Sequence, residues 1–185
     1  MGIFKKIKSV IFSIIRWNMS PIQYARYIGV TIGENCNIHT KFWSSEPYLI
    51  TIGNNVHVTQ NVRFQTHGGS HILRSRVPDF DSFGKITVED DVYIGAETQI
   101  LPGVTIGKGS LIGAGSVVTK SVPPGIVVAG NPARYICTID QYFERNLIYN
   151  IHSKNLSAKV KKQILINLPD DKFLKKNYLN SEIRK

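Results

Sequence analysis

The sequence predicts an all-β solenoid with short helices at both ends, and three observations predict it. From Val88 to Pro123 the chain divides into sixes, VEDDVY, IGAETQ, ILPGVT, IGKGSL, IGAGSV and VTKSVP, each opened by an aliphatic residue: Val88, Ile94, Ile100, Ile106, Ile112 and Val118. Four places after each opener stands a small or β-branched residue: Val92, Thr98, Val104, Ser110, Ser116 and Val122. Neither the i, i+3, i+4, i+7 spacing of a helix nor the long alternation of an ordinary strand is present. A strict six-residue period fits a coil in which each hexapeptide supplies one short strand and one tight turn, with the opener pointing into a narrow core. Three hexapeptides make one triangular coil, so Ile94 and Ile112 should stack one coil apart, at a strand spacing of about 4.8 Å.

The rest of the chain reads against this frame. In residues 1–29, Phe4, Ile7, Ile11, Ile14 and Ile15 fall at helical spacing among Lys5, Lys6, Lys8 and Arg16, the pattern of an interfacial amphipathic helix or of a helix packing on the solenoid or on a neighbouring copy. The apolar run Val10–Ile15 is too short to span a membrane, and no small-residue cleavage site marks it as a signal peptide. Ser20-Pro21 opens a second short helix, with Pro at its first position. Repeats begin at Ile32, break at Ser44–Leu49, resume at Ile52 and reach Phe64. His67-Gly68-Gly69-Ser70-His71 and Pro78-Asp79-Phe80-Asp81 cannot be repeat turns; an excursion over about residues 66–84 fits better, and a loop of that length suggests function. The repeat domain spans 30–137. Beyond it, 138–185 form a basic helical extension expected to cap the last coil, with one helix after Thr138 and another opened by Ser157.

The net charge of +10 sits at the ends. Residues 1–30 carry five basic residues and no acid, residues 31–153 nearly balance, and residues 154–185 are again basic. A neutral body without a nucleic-acid motif argues against nucleic-acid binding, whereas basic ends suit an anionic membrane surface or serve solubility. Cys36 and Cys137 form no CxxC, metal spacing or disulfide framework, which suits a reducing, cytoplasmic setting, with peripheral contact at the inner membrane face. Cys36, four places after Ile32, is expected to be a small core residue.

These repeats, with the segment VVTKSVPPGIVVAGNPARYI (Val117–Ile136), resemble the hexapeptide-repeat acyltransferases, in the branch that O-acetylates galactosides, maltose and surface polysaccharides. The resemblance covers about residues 30–137. It implies a left-handed parallel β-helix, a handedness that spacing alone does not give. It also implies acetyl-CoA as co-substrate, a sugar or other small acceptor, and a homotrimer with active sites between subunits.

Acetyl transfer to a hydroxyl needs a base, donors for the oxyanion and substrates held in line. Histidine is the suitable base near neutral pH, and the candidates are His39, His57, His67, His71 and His152. His39 and His57 fall on the coil surface and His152 in the extension. His67 and His71 lie in the excursion, where the resembling enzymes carry their catalytic histidine. His67 matches better, following VTQNVR and preceded by Thr66. Its orienting acceptor could be Asp79, Asp81, Glu46 or a backbone carbonyl. Glu46 is expected at the acceptor, where related enzymes place an acid, together with His71 and Asp81. The resemblance implies cofactor contacts at Ala96, Gly113 and Ala114 along the pantetheine arm, Thr119 and Lys120 near the nucleotide, and Arg134 at a phosphate; a second basic position of some relatives is Cys137 here. No metal is expected. The alternatives are a γ-carbonic-anhydrase-like zinc enzyme built on His67, His71 and a third ligand, transfer to another small acceptor such as a sugar-nucleotide amine or an antibiotic, and a non-catalytic scaffold.

Overall fold

The openers stack. In this computed structural model, which describes residues 18–176, Ile94 pairs with Ile112, Val88 with Ile106 and Ile100 with Val118, always one coil apart. The amphipathic pattern of residues 1–17 lies outside the described residues.

Helix α1 (Pro21–Tyr27) comes first, closed by a capping box: the Ser20 hydroxyl accepts from Gln23 N and the Gln23 amide returns to Ser20 N. Among the described residues thirteen strands follow: β1 Thr31–Ile32, β2 Asn37–Ile38, β3 Ile50–Ile52, β4 His57–Val58, β5 Arg63–Phe64, β6 Ile86–Val88, β7 Tyr93–Ile94, β8 Gln99–Ile100, β9 Thr105–Ile106, β10 Leu111–Ile112, β11 Val117–Val118, β12 Ile126–Ala129 and β13 Arg134–Thr138. They form three sheets, β1-β3-β6-β9, β2-β4-β7-β10-β12-β13 and β5-β8-β11. The chain visits the sheets in rotation, and every pairing but the last is parallel. Each two-residue strand turns its first residue outward and buries its opener, while β3 and β6 also bury their first residues, Ile50 and Ile86; Ile94, Ile100, Ile106 and Ile112 are wholly buried, each worth about 1.5–3 kcal/mol on transfer from water.

One left-handed turn residue in most of the hexapeptides makes the corners. It stands three places after the opener: Asn55, Asn61, Asp91, Glu97, then Gly103, Gly109 and Gly115. Asn tolerates that region better than most residues, and Gly pays no steric cost there. The side chains also ladder between coils, Asn55 Nδ2 donating to Asp91 Oδ1 at 2.7 Å and Asn61 Nδ2 to Glu97 Oε1 at 2.6 Å. Buried hydroxyls satisfy the carbonyls at the turns, as when Ser116 Oγ donates to Gly113 O at 2.6 Å.

Three departures from the repeat shape the molecule. The first coil is enlarged at Ser44–Leu49, which ends in a 3₁₀ turn at Pro47–Leu49, so that Ile32 still reaches Ile52. The last coil is two residues short: Val122, expected four places inside a hexapeptide, instead bridges Ile106 as an opener would, and Val128 pairs with Ile112. Between Phe64 and Ile86 the chain leaves the coil. Phe64 nevertheless pairs directly with Ile100, because the excursion is closed at its base by Gly84 N donating to Thr66 O at 2.7 Å and by an antiparallel bridge between His67 and Phe83. The segment read as the end of the repeats is partly a strand: β13 runs antiparallel to β12 and covers the exposed edge of the second sheet. Cys36 packs against the core and its Sγ–H donates to Gly53 O at 3.1 Å.

The chain divides into two compact units, up to residue 139 and from residue 140 onward. The second contains most of helix α3 (Ile139–Leu147) and helix α4 (Ala158–Ile166). Ser157 caps α4 by accepting from Val160 N, while Phe143, Leu147, Ile148 and Ile166 are exposed.

Candidate active site

The enlarged first coil and the base of the excursion meet at one carboxylate. Glu46 Oε2 accepts from Thr66 Oγ1 at 2.7 Å, from His67 Nδ1 at 2.7 Å and, more weakly, from Ser44 Oγ at 3.4 Å. Thr66 is fully buried; its N–H donates to Ser44 Oγ at 3.2 Å, and the two hydroxyls lie 2.6 Å apart. The Thr66 hydroxyl above all, then the His67 imidazole, hold the Glu46 carboxyl below its ordinary range against the opposing effect of burial. Phe83 meets the other side of the His67 ring edge-on, 5.7 Å between centroids. The imidazole is fixed by a carboxylate on Nδ1 and an aromatic ring, with 40% of its side chain still exposed. An acceptor on Nδ1 places that nitrogen's proton and leaves Nε2 as the basic nitrogen.

Beside His67 lies a cavity of about 450 Å³ whose wall includes Phe42, Trp43, Arg63 and Gln65. Trp43 stacks on the buried Phe64 at 4.8 Å, and the Arg63 guanidinium lies 5.0 Å from the Phe42 ring centroid. A second cavity, about 680 Å³, adjoins it across Trp43 and Ser44 and extends along Tyr24, Tyr27 and Tyr48.

The other expected residues fall in different places. Glu46, expected at the acceptor and also one of the possible partners of His67, meets the His67 ring: the enlarged coil swings it under the excursion, a contact between distant residues that no local pattern announces. Asp81, also expected at the acceptor, is held within the excursion, accepting from Ser82 N and facing Arg74 at 3.8 Å. His71 sits on helix α2 (Ser70–Leu73), exposed, and its imidazole has no hydrogen-bond or ion-pair partner among the described residues. Gly113 has a packing reason: a Cβ there would come within 2.8 Å of Ala129 Cβ. Ala96 and Ala114 follow the stacked Ile94 and Ile112 on the corner between the second and third sheets. Thr119 follows Val118 on the opposite corner of the third sheet, two coils from Gln65, or about 10 Å. Lys120 is exposed beside it, and Arg134 lies exposed on β13. One chain therefore carries these positions on two corners and a terminal strand rather than in one cluster. Sequence reasoning missed Ser44, Phe42, Trp43 and Arg63; the break in the repeat at Ser44 was the available signal. Among the described residues no three His, Cys, Asp or Glu side chains group to hold a metal ion.

Parallel strands wound in six-residue steps, with a histidine–carboxylate pair at the root of an excursion, define a coiled parallel-β protein with a candidate acid–base site. A family model described as bacterial transferase hexapeptide (six repeats) matches residues 85–120. The chain is 39% identical over 165 residues to Protein CapG of Staphylococcus aureus, covering 87% of this chain and 95% of that one. It is 39% identical over 126 residues to the galactoside O-acetyltransferase of Escherichia coli K12, covering 67% of this chain but 61% of that enzyme. Among solved structures it is similar to a hexapeptide-repeat acetyltransferase of Vibrio cholerae complexed with acetyl coenzyme A, at 28% identity and a TM-score of 0.50 over 62% of this chain and 73% of that one. The chain belongs to the hexapeptide-repeat acyltransferase family.

Proposed function

We propose that the chain is an acetyl-CoA-dependent O-acetyltransferase acting on a sugar hydroxyl in surface-polysaccharide biosynthesis, with His67 as general base. The observation that carries this reading is the 2.7 Å hydrogen bond from His67 Nδ1 to Glu46, which fixes the tautomer such a base needs. His67 Nε2 takes the proton of the acceptor hydroxyl as its oxygen attacks the thioester carbonyl. When the tetrahedral adduct collapses, the C–S bond breaks and the same proton passes from Nε2 to the leaving thiolate. Glu46 stabilises the imidazolium in between. The acetyl donor is supported by the acetyl coenzyme A complex of the Vibrio cholerae protein, O-transfer by the Escherichia coli galactoside enzyme, and the polysaccharide role by the similarity to CapG.

In this reading the winding is left-handed and the active unit is a homotrimer. Each active site then lies between two copies, with the His67 excursion of one reaching the next. Arg134 supplies charge at a phosphate, and the basic N-terminal segment gives peripheral contact with an anionic membrane.

The test is His67→Ala, assayed by thiol release from acetyl-CoA against a panel of sugars, sugar nucleotides and polysaccharide fragments. A loss of about 10²–10⁴ in kcat is expected, with acetyl-CoA affinity nearly unchanged. His71→Ala should stay close to wild type. An active His67→Ala enzyme overturns the reading.

A further inference from the structure

We propose that the cavity beside His67 selects acceptors carrying a negative charge, a sugar bearing a carboxylate or a phosphate, and that Arg63 is the residue that selects them. The inference rests on the acetyl-transfer reading above, since it takes that cavity as the acceptor's place.

The cavity wall holds two cations, Lys41 and Arg63, and no carboxylate. Lys41 Nζ donates to the Met19 carbonyl at 2.6 Å. Arg63 opens out of β5 onto the outer face of the third sheet, in the same strand whose Phe64 anchors Trp43. Its guanidinium is held over the Phe42 ring and has no carboxylate partner among the described residues. The other arginines at the ends of this coil region are different: Arg26 faces Glu34 and Arg74 faces Asp81. The acids that could have neutralised Arg63 are engaged elsewhere, Glu97 by Asn61 at 2.6 Å and Glu46 by Thr66 and His67.

A guanidinium steadied on an aromatic face loses less freedom when it binds, and its fork matches the two oxygens of a carboxylate or phosphate. The neighbouring faces of Phe42 and Trp43 offer apolar surface to a sugar ring. The cavity volume of about 450 Å³ lies in the range of small-molecule sites. With the charge anchored at Arg63, a hydroxyl elsewhere on the ring is presented to His67.

The experiment titrates the full-length protein with glucuronate, galacturonate, glucose 1-phosphate and the neutral methyl glycosides of the same sugars, following the His67 ring-proton resonance by NMR. At least one anionic ligand should shift the resonance with an affinity about tenfold or more above its neutral counterpart. The uronate and sugar-phosphate arms tell which anion is preferred. Arg63→Met should abolish the difference without changing the oligomeric state, and Arg63→Lys should restore part of it. The proposal is overturned if neutral and anionic sugars bind alike, if none shifts His67, if Arg63→Met keeps the preference, or if free coenzyme A displaces the sugar, because the anion at Arg63 would then belong to the cofactor. Transfer activity is read separately by thiol release, so its loss or survival judges the acetyl-transfer reading and not the charge preference.

Discussion

At the scale of single residues the site is a chain of hydroxyls and one carboxylate behind an imidazole. Ser44 and Thr66 touch no reacting atom in this arrangement, but Thr66 is the strongest influence on the Glu46 carboxyl, and Glu46 in turn orients His67. Glu46→Gln should therefore lower kcat by about 10²-fold. Its signature is spectroscopic. Nitrogen-15 shifts of His67 should report a single tautomer, protonated on Nδ1, in wild type and a mixture in the variant, while Glu46→Asp recovers part of both rate and tautomer. An unchanged tautomer would reduce Glu46 to a packing residue. The same carboxyl contributes stability that is complete above its ordinary pKa near 4.5 and is lost as pH falls through its lowered folded value. The denaturation midpoint of Glu46→Gln should therefore fall less than that of wild type on acidification below about pH 4.5.

At the scale of elements, the excursion and the outer sheet faces each have a residue that decides their behaviour. Gly84 closes the excursion where its own coil packs on the next: a Cβ there would lie 2.2 Å from Gly103 N. Backbone cannot yield as a side-chain end can, so Gly84→Ala should cost about 1–3 kcal/mol and also reduce kcat, because the His67–Phe83 bridge begins one residue away. Gly68→Ala meets nothing within 4 Å and should be nearly silent in urea titrations. On the second sheet, His39, His57 and Tyr93 form a run of rings 5.6 and 5.2 Å apart. Burial, and then the neighbouring His39, hold the His57 imidazole below its ordinary value of 6.5. The unfolded chain binds a proton there that the folded chain resists, so stability is full above about pH 6.5 and declines as pH falls from there toward the folded value. His57→Asn should flatten that slope, seen as a smaller drop in urea midpoint between about pH 7.5 and pH 5.5.

At the scale of the whole molecule, the proposed trimer should scatter light at three times the 20.8 kDa of one chain, and a fully active monomer would refute it. The stacking of Ile94 on Ile112, the caps at Ser20 and Ser157 and the departure of the chain near residue 66 were all legible in the sequence, because each rests on a period or a cap within a few residues. The candidate base was legible too, through the resemblance carried by VTQNVR and the residues after it. Its partner was not. Asp79, Asp81 and Glu46 were equivalent on paper, and Glu46 reached His67 only because two irregular segments, each an exception to the six-residue rule, fold against one another. Val122 could not be recognised as an opener, nor Gly113 as a packing requirement, without knowing that the last coil is short and sets Ala129 over Gly113. Repetition determined the coils, since every hexapeptide meets the same neighbours; the site arises where repetition fails, and there only contacts between distant segments decide which side chains meet.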